Sequence, residues 1–266
     1  MTWMSWASYS TAACSEIGRI ISERDYSVMH DNTRIDEIAT GIYRISTPVP
    51  PPVIPGGFTF NQYLIKDDDP LLYHTGPRKM FSLIRTAIES VLPVQSLRYI
   101  GFSHFEADEC GSLNDFLEVA PGAEPLCSQI AKMVSVDDIA LRPAHALGDG
   151  ENLVLGSHTV RWIDTPHLPH AWECGHLFDT TTSTLFCGDL FTQGGHQHDP
   201  LTRDDILDSS EDMRAQLDYF SQTRNVRSLM EKLASTSPST LACMHGAAWQ
   251  GDGAKLLRQL AERLAG

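Results

Sequence analysis

Positive charge is scarce in this sequence of 266 residues: 20 Lys and Arg stand against 34 Asp and Glu, for a formal net charge of −14. No cluster of Lys or Arg interrupts that balance, which speaks against a nucleic-acid or anionic-membrane partner, because phosphate binding needs concentrated cations. No apolar run reaches the roughly 20 residues of a membrane helix, so membrane insertion is not expected. The N-terminus, Met1-Thr2-Trp3-Met4-Ser5-Trp6, has no basic residue before Arg19 and no apolar core of signal-peptide type, and a cytoplasmic location is the expectation. The six cysteines (Cys14, Cys110, Cys127, Cys174, Cys187 and Cys243) form no C-x-x-C pair. They read as reduced, mostly buried small hydrophobes rather than as a disulfide framework. Also missing are a G-x-G-x-x-G after a strand and a P-loop, so nucleotide cradling has no support. With no G-x-S-x-G, hydroxyl-nucleophile chemistry has little either.

What is present suits one large core, since 42% of the residues are hydrophobic. Residues 1–35 read as an N-terminal extension with a helix-like stretch over 15–24. Trp3, Trp6, Ile20 and Ile21 could dock there on a partner or on the domain itself. Residues 36–266 read as a single domain. After the proline-punctuated loop around Pro48–Pro52 and Pro55-Gly56-Gly57, short β-type runs alternate with helical ones. Strands are expected over 41–46, 61–66, 71–74, 97–103, 152–155, 158–164, 176–179, 184–187 and 240–244. Helices are expected over 80–91, 111–119 and 252–264, and 204–234 reads as mainly helical. Two β-rich blocks, each followed by helices, imply two sheets packed inside and helices outside.

The chemistry gathers at strand ends. His104, Glu106 and Asp108 follow the apolar run 97–103 at alternate positions, a spacing that converges from an extended loop, whereas a helix would spread it over too wide an arc. Alone, such a triplet is as readily an acidic strand end as a metal site. His170 follows the strand 158–164, Asp189 follows Leu185-Phe186-Cys187-Gly188, and His245 follows Leu241-Ala242-Cys243-Met244. Each segment repeats one design, a buried strand with a metal-type residue past its C-terminal end, where loops gather ligands on a rigid scaffold. Three His and three carboxylates exceed the four ligands that zinc usually takes, so the six donors suggest two metals sharing a bridge.

The order H-x-E-x-D, then His, Asp and His, resembles the diiron site of flavodiiron proteins within the metallo-β-lactamase superfamily. The spacings agree: 61 residues separate Asp108 from His170, 18 separate His170 from Asp189, and 55 separate Asp189 from His245. The phrases His104-Phe105-Glu106-Ala107-Asp108-Glu109-Cys110-Gly111 and Thr165-Pro166-His167-Leu168-Pro169-His170 are most similar to the stand-alone oxygen-binding diiron proteins. The likeness extends over roughly residues 38–265. It implies an α/β fold, the metallo-β-lactamase-like αββα sandwich. It also implies that His104, Glu106 and His170 hold one iron, that Asp108 and His245 hold the other, and that Asp189 bridges them. Zinc hydrolases of this fold resemble H-x-H-x-D-H at the first motif. Here Glu106 replaces the second His and Glu109 the last, and hard oxygen donors favour iron or manganese over zinc; the resemblance implies iron (Fe2+/Fe3+), with zinc or manganese behind it. Without a His at 109 the second iron is less saturated, unless Glu109 ligates, and an open position could take O2.

The remaining histidines have plainer readings. His167 could ligate in a shifted register, but it reads better as an outer donor or pocket residue. His196 and His198, on the glycine-rich loop after Asp189, read as a solvated loop or as lining; His198, with Glu109 and His167, is a candidate for the O2 pocket. His74 reads as structural. Only 21 residues follow His245, too few for a flavodoxin-like domain, so no FMN is expected in cis. The resemblance then implies a protein that binds O2 reversibly or senses it. The alternatives are a diiron oxidase, oxygenase or O2/NO reductase fed by a separate reductase, and a dinuclear hydrolase. A signalling protein or external reductase, NO beside O2, and a homo-oligomer are the partners the likeness suggests.

Overall fold

Short, strongly buried strands assemble into two seven-stranded sheets that face each other across an apolar seam. The computed structural model describes residues 32–51 and 53–265. The N-terminal expectations (the helix-like stretch over 15–24, Trp3, Trp6, Ile20 and Ile21, and Cys14) therefore lie outside the described residues.

The first sheet runs in chain order: β1 (Arg34–Ala39), β2 (Ile42–Val49), β3 (Phe58–Ile65), β4 (Leu71–Tyr73), β5 (Tyr99–Gly101), β6 (Glu124–Ser128) and β7 (His145–Leu147). Its first four strands pair antiparallel and its last four parallel. The second sheet takes β8 (Asn152–Val154), β9 (Thr159–Asp164), β10 (Gly175–Asp179), β11 (Thr184–Gly188), β12 (Leu201–Thr202), β13 (Thr240–Cys243) and β14 (Ala248–Gln250) in the order β12-β14-β13-β11-β10-β9-β8. Every residue of β10 and β11 is buried. Burial on both faces is why these strands read as continuous apolar runs rather than alternating ones.

Three apolar clusters follow from this layering. Between the sheets lie Tyr63, Tyr73, Trp162, Leu177, Phe186 and Ala242, with Phe186 touching the rings of Tyr63 and Tyr73. Outside the first sheet pack α1 (Phe81–Glu89), which buries Leu83, Ile84 and Ile88, and α3 (Leu113–Val119), which buries Phe116 and Leu117. A one-turn helix, α2 (Ala107–Cys110), precedes α3. Outside the second sheet lie α4 (Leu207–Leu217), α5 (Val226–Ala234) and α6 (Gly253–Leu264). In α6 the side chain of Asp252 accepts the Lys255 amide at 2.9 Å, satisfying a free donor of the first turn. Leu256, Leu257, Leu260 and Ala261 then form one buried stripe. The chain is thus the αββα sandwich expected from the sequence.

Three local expectations need correction. The stretch 204–234 is broken: α4 ends at Asp218, which is left-handed (φ +47°), and a loop runs to Asn225 before α5. The H-x-E-x-D run is not wholly extended. Glu106 is extended (φ −140°, ψ 162°) but helix begins at Ala107, so Asp108 and Glu109 sit on α2. Strands β1, β6, β7, β12 and β14 are not among the expected ones, because most are short and polar or carry proline. The first strand begins at Arg34, and the described cysteines are all buried and free. No described helix is long and apolar enough to cross a membrane.

Candidate metal centre

The sheets present their ligand-bearing ends on one side of the sandwich. The first sheet delivers the run after β5, and the second delivers the ends of β9, β11 and β13. The change of backbone at Ala107 divides the H-x-E-x-D run. His104 and Glu106 leave an extended turn in one direction, and Asp108 and Glu109 leave α2 in another. Two groups of ligand-type atoms result, each lying within 4.8 Å of one another: His104, Glu106, His170 and Asp189 in the first, and Asp108, Glu109 and His245 in the second.

In the first group His104 Nε2 and His170 Nε2 are 2.9 Å apart, with Glu106 Oε2 at 3.2 and 2.9 Å from them. Asp189 spans the groups. Its Oδ2 lies 3.5 and 3.4 Å from those two nitrogens, and its Oδ1 lies 3.3 Å from His245 Nε2. Asp108 Oδ2 reaches His245 Nε2 at 3.5 Å. Glu109, buried completely, stands 3.8 Å from His104 Nε2 and has no hydrogen-bond partner for either oxygen. All six sequence-predicted metal residues are therefore brought together, and Glu109 joins them.

His170 and His245 are oriented from behind by backbone carbonyls, Nδ1 of His170 donating to Tyr219 O at 2.9 Å and Nδ1 of His245 to Thr59 O at 2.8 Å. Such contacts fix ring and tautomer. The His245 ring also stacks on Phe58 with centroids 4.4 Å apart. Its loop is laced to the first sheet. Tyr63 Oη donates to Cys243 O at 2.6 Å, Asn61 Nδ2 donates to Gly246 O at 2.8 Å, and the buried Arg44 donates to the same carbonyl at 2.6 Å. Sequence reasoning missed Tyr219 and Thr59. Both act through backbone oxygen, which no side-chain motif reveals, and Tyr219 lies in the unanticipated break after α4.

The electrostatics describe a site that attracts cations. Burial lowers the proton affinity of His245, yet the carboxylates of Asp108 and Asp189 overcome it and push the imidazole up to about 10. Burial likewise opposes, and Glu109 and Glu106 help to enforce, a proton affinity of His104 well above the ordinary imidazole range. Hydrogen bonds from His104 and His170 hold Glu106 down at about 2. Asp189 is held below the usual carboxylate range by His245, His104 and His170 against the opposing effect of burial. Burial and the neighbouring Asp108 push Glu109 well upward. Two metal ions fit this donor set. The four carboxylates would balance two divalent ions, and the unpartnered oxygens of Glu109 and Asp189 Oδ1 are the buried acceptors that a cation would satisfy.

The other histidines lie apart from both groups. His167 is exposed and left-handed (φ +65°), its amide closing a turn onto Ala171 O. His198 is half-buried with Nε2 3.1 Å from Gly194 O, and His196 packs over Gly57. His74 lies fully buried beneath the site.

Comparison with known proteins agrees with the fold. The family described as ODP family beta lactamase matches residues 58–246. An anaerobic nitric oxide reductase flavorubredoxin of Vibrio vulnificus is 24% identical over 218 residues, 76% of this chain and 42% of that protein. A metal-soaked Flv1 flavodiiron core from Synechocystis superposes with a TM-score of 0.76 at 21% identity, covering 87% of this chain and 60% of that one. The rubredoxin oxygen:oxidoreductase of Desulfovibrio gigas gives a TM-score of 0.71 at 20% identity, over 86% and 62%. The chain spans about a third of the length of the curated diflavin relatives that it matches.

Proposed function

We propose, from the premise that this chain belongs to the ODP beta-lactamase family, that residues 36–266 carry a non-haem diiron centre that binds O2 reversibly or senses it. The observation that supports this most is Asp189, one carboxylate in contact with both donor groups. In this reading His104, Glu106 and His170 hold one iron, Asp108, Glu109 and His245 hold the other, and Asp189 bridges. Two ferrous ions, when bound, would supply the electrons and the open coordination position that O2 requires. The chain's own contribution is placement. Glu106 and His170 form the solvent-facing rim, with side-chain exposures of 53% and 24%, while Glu109 and His245 close the inner end. Seven donors, four of them carboxylate oxygens, favour iron over zinc. Glu106 in place of a histidine speaks against the hydrolase alternative.

A second reading, a diiron oxidoreductase reducing O2 or NO with electrons from a separate reductase, draws on relatives named for those reactions. Both readings use the same site, and both allow a homo-oligomer in the cytoplasm with O2, or NO, as ligand. Purification without air, metal analysis, and addition of O2 under a visible spectrometer separate them. Two irons per chain and a colour that persists on O2 support binding or sensing. Colour that decays with turnover of an added electron donor supports the reductase. Two zinc ions and no colour overturn both.

A further inference from the structure

His74 belongs to neither donor group, yet it is tied to one. Its Nε2 lies 3.3 Å from the Ser103 amide nitrogen and 3.1 Å from Ser103 Oγ, and that Oγ lies 2.9 Å from His104 Nδ1. Counting protons fixes the direction of this string. A ring nitrogen that accepts the Ser103 amide hydrogen carries none itself, so the Ser103 hydroxyl donates to His74 Nε2. A hydroxyl has one proton. Toward His104 the oxygen therefore accepts, Nδ1 of His104 carries the hydrogen, and Nε2 of His104 is left to face Glu106, His170 and Asp189.

The other two site imidazoles need no such device, because a backbone carbonyl only accepts and sets the tautomer alone. A serine hydroxyl can donate or accept, so the ring that it supports is undetermined until something fixes the hydroxyl. We propose that His74 does this: it is a positioning residue that, through Ser103, holds His104 with Nδ1–H turned inward and Nε2 presented to the metal.

Three further observations fit. His74 is left-handed (φ +65°), a conformation that side chains other than glycine adopt at a cost, and its amide is anchored to Gly101 O at 2.8 Å. With Nε2 bare, Nδ1 carries the ring hydrogen and has no partner, so the hydrogen bonds that orient the ring are those at Nε2. Gly188, at the end of β11, leaves room for the serine, since a Cβ there would stand 3.0 Å from Ser103 Oγ. The inference rests on the metal-site reading but not on iron or O2.

The test uses the full chain, with Zn2+ and Mn2+ as probes in competition with a chromophoric chelator. His74→Ala and Ser103→Ala should each weaken the site that His104 serves about 10–100-fold, as loss of an outer partner does. The double variant should be no worse than either single one. Ser103→Thr and His74→Gln, which keep the hydroxyl and an acceptor, should stay near the parent and guard against a mere folding defect. In the zinc-loaded protein, long-range proton–nitrogen correlations should place a hydrogen on His104 Nδ1. Unchanged affinity in both alanine variants, losses that add in the double variant, or a His104 Nδ1 without hydrogen would each overturn the proposal. Absence of iron from the native protein would instead count against the diiron reading alone.

Discussion

Asp189 and His245 meet at 3.3 Å between Oδ1 and Nε2, while the other oxygen of the same carboxylate turns to His104 and His170 at 3.5 and 3.4 Å. One side chain is thus in contact with both donor groups, and its removal should be felt in both. Asp189→Ala should lower the metal content from two ions per chain to near none, a loss larger than the ~10–100-fold that outer partners cost. His198→Ala, outside both groups, should leave the count intact. Metal analysis after dialysis against a weak chelator reads both, and a normal count in Asp189→Ala would remove the bridge from the assignment.

Glu109 gives a prediction that changes sign with metal. A buried carboxyl without a hydrogen-bond partner is a liability in the metal-free protein and an asset beside a cation. Glu109→Leu should leave the metal-free chain as stable or raise its stability by about 1–3 kcal/mol. In the loaded protein it should remove the second ion. Paired thermal melts with and without metal test this. Destabilisation in both forms would make Glu109 structural rather than a ligand.

The legibility of the site in the sequence has a physical pattern. His104, His170, Asp189 and His245 were visible because each follows a strand whose core position makes it apolar, so the change to a metal-type side chain stands out. The αββα layering was visible for the same reason in β10 and β11. Glu109 was legible as a site residue but not as a donor beside Asp108 and His245, because that depends on helix starting at Ala107, and a one-turn helix has no periodicity to read. The supports Tyr219 and Thr59 were hidden because they act through backbone oxygen. His74 was seen at a strand end, but only its distance to Ser103 shows what it touches.

His176 predicts an acid sensitivity separate from metal binding. Its Nε2 donates to Cys187 O at 3.0 Å and its Nδ1 lies 2.7 Å from Thr165 Oγ1, so both nitrogens of a neutral ring are satisfied. Burial holds the imidazole down at about 4. The unfolded chain takes up the proton near the ordinary pKa of ~6.5, so between these values it binds more protons than the folded one, and stability falls as pH falls through that window. The contribution is on the order of 3 kcal/mol across it. Urea melts of the metal-free protein from pH 4 to 7 should show a flatter profile for His176→Gln than for the parent. Parallel profiles would mean that another group governs the acid limb.

The residues proposed as ligands come from both sheets, so a bound metal would act as a clamp on the sandwich. His104, Glu106, Asp108 and Glu109 follow β5 of the first sheet, whereas His170, Asp189 and His245 follow β9, β11 and β13 of the second. Away from the site, Phe186 fills the seam against Tyr63 and Tyr73. Truncation there leaves a cavity between the sheets, so Phe186→Ala should cost about 3–5 kcal/mol in the metal-free protein. Metal binds only when the sheets are in register, so a free ion at a thousand times its dissociation constant should return about 4 kcal/mol. The loaded Phe186→Ala variant should therefore melt close to the metal-free parent. The same metal should give the Asp189→Ala variant little protection. If Phe186→Ala gains no stability from metal while still binding two ions, the site does not join the sheets energetically, and the clamp is refuted.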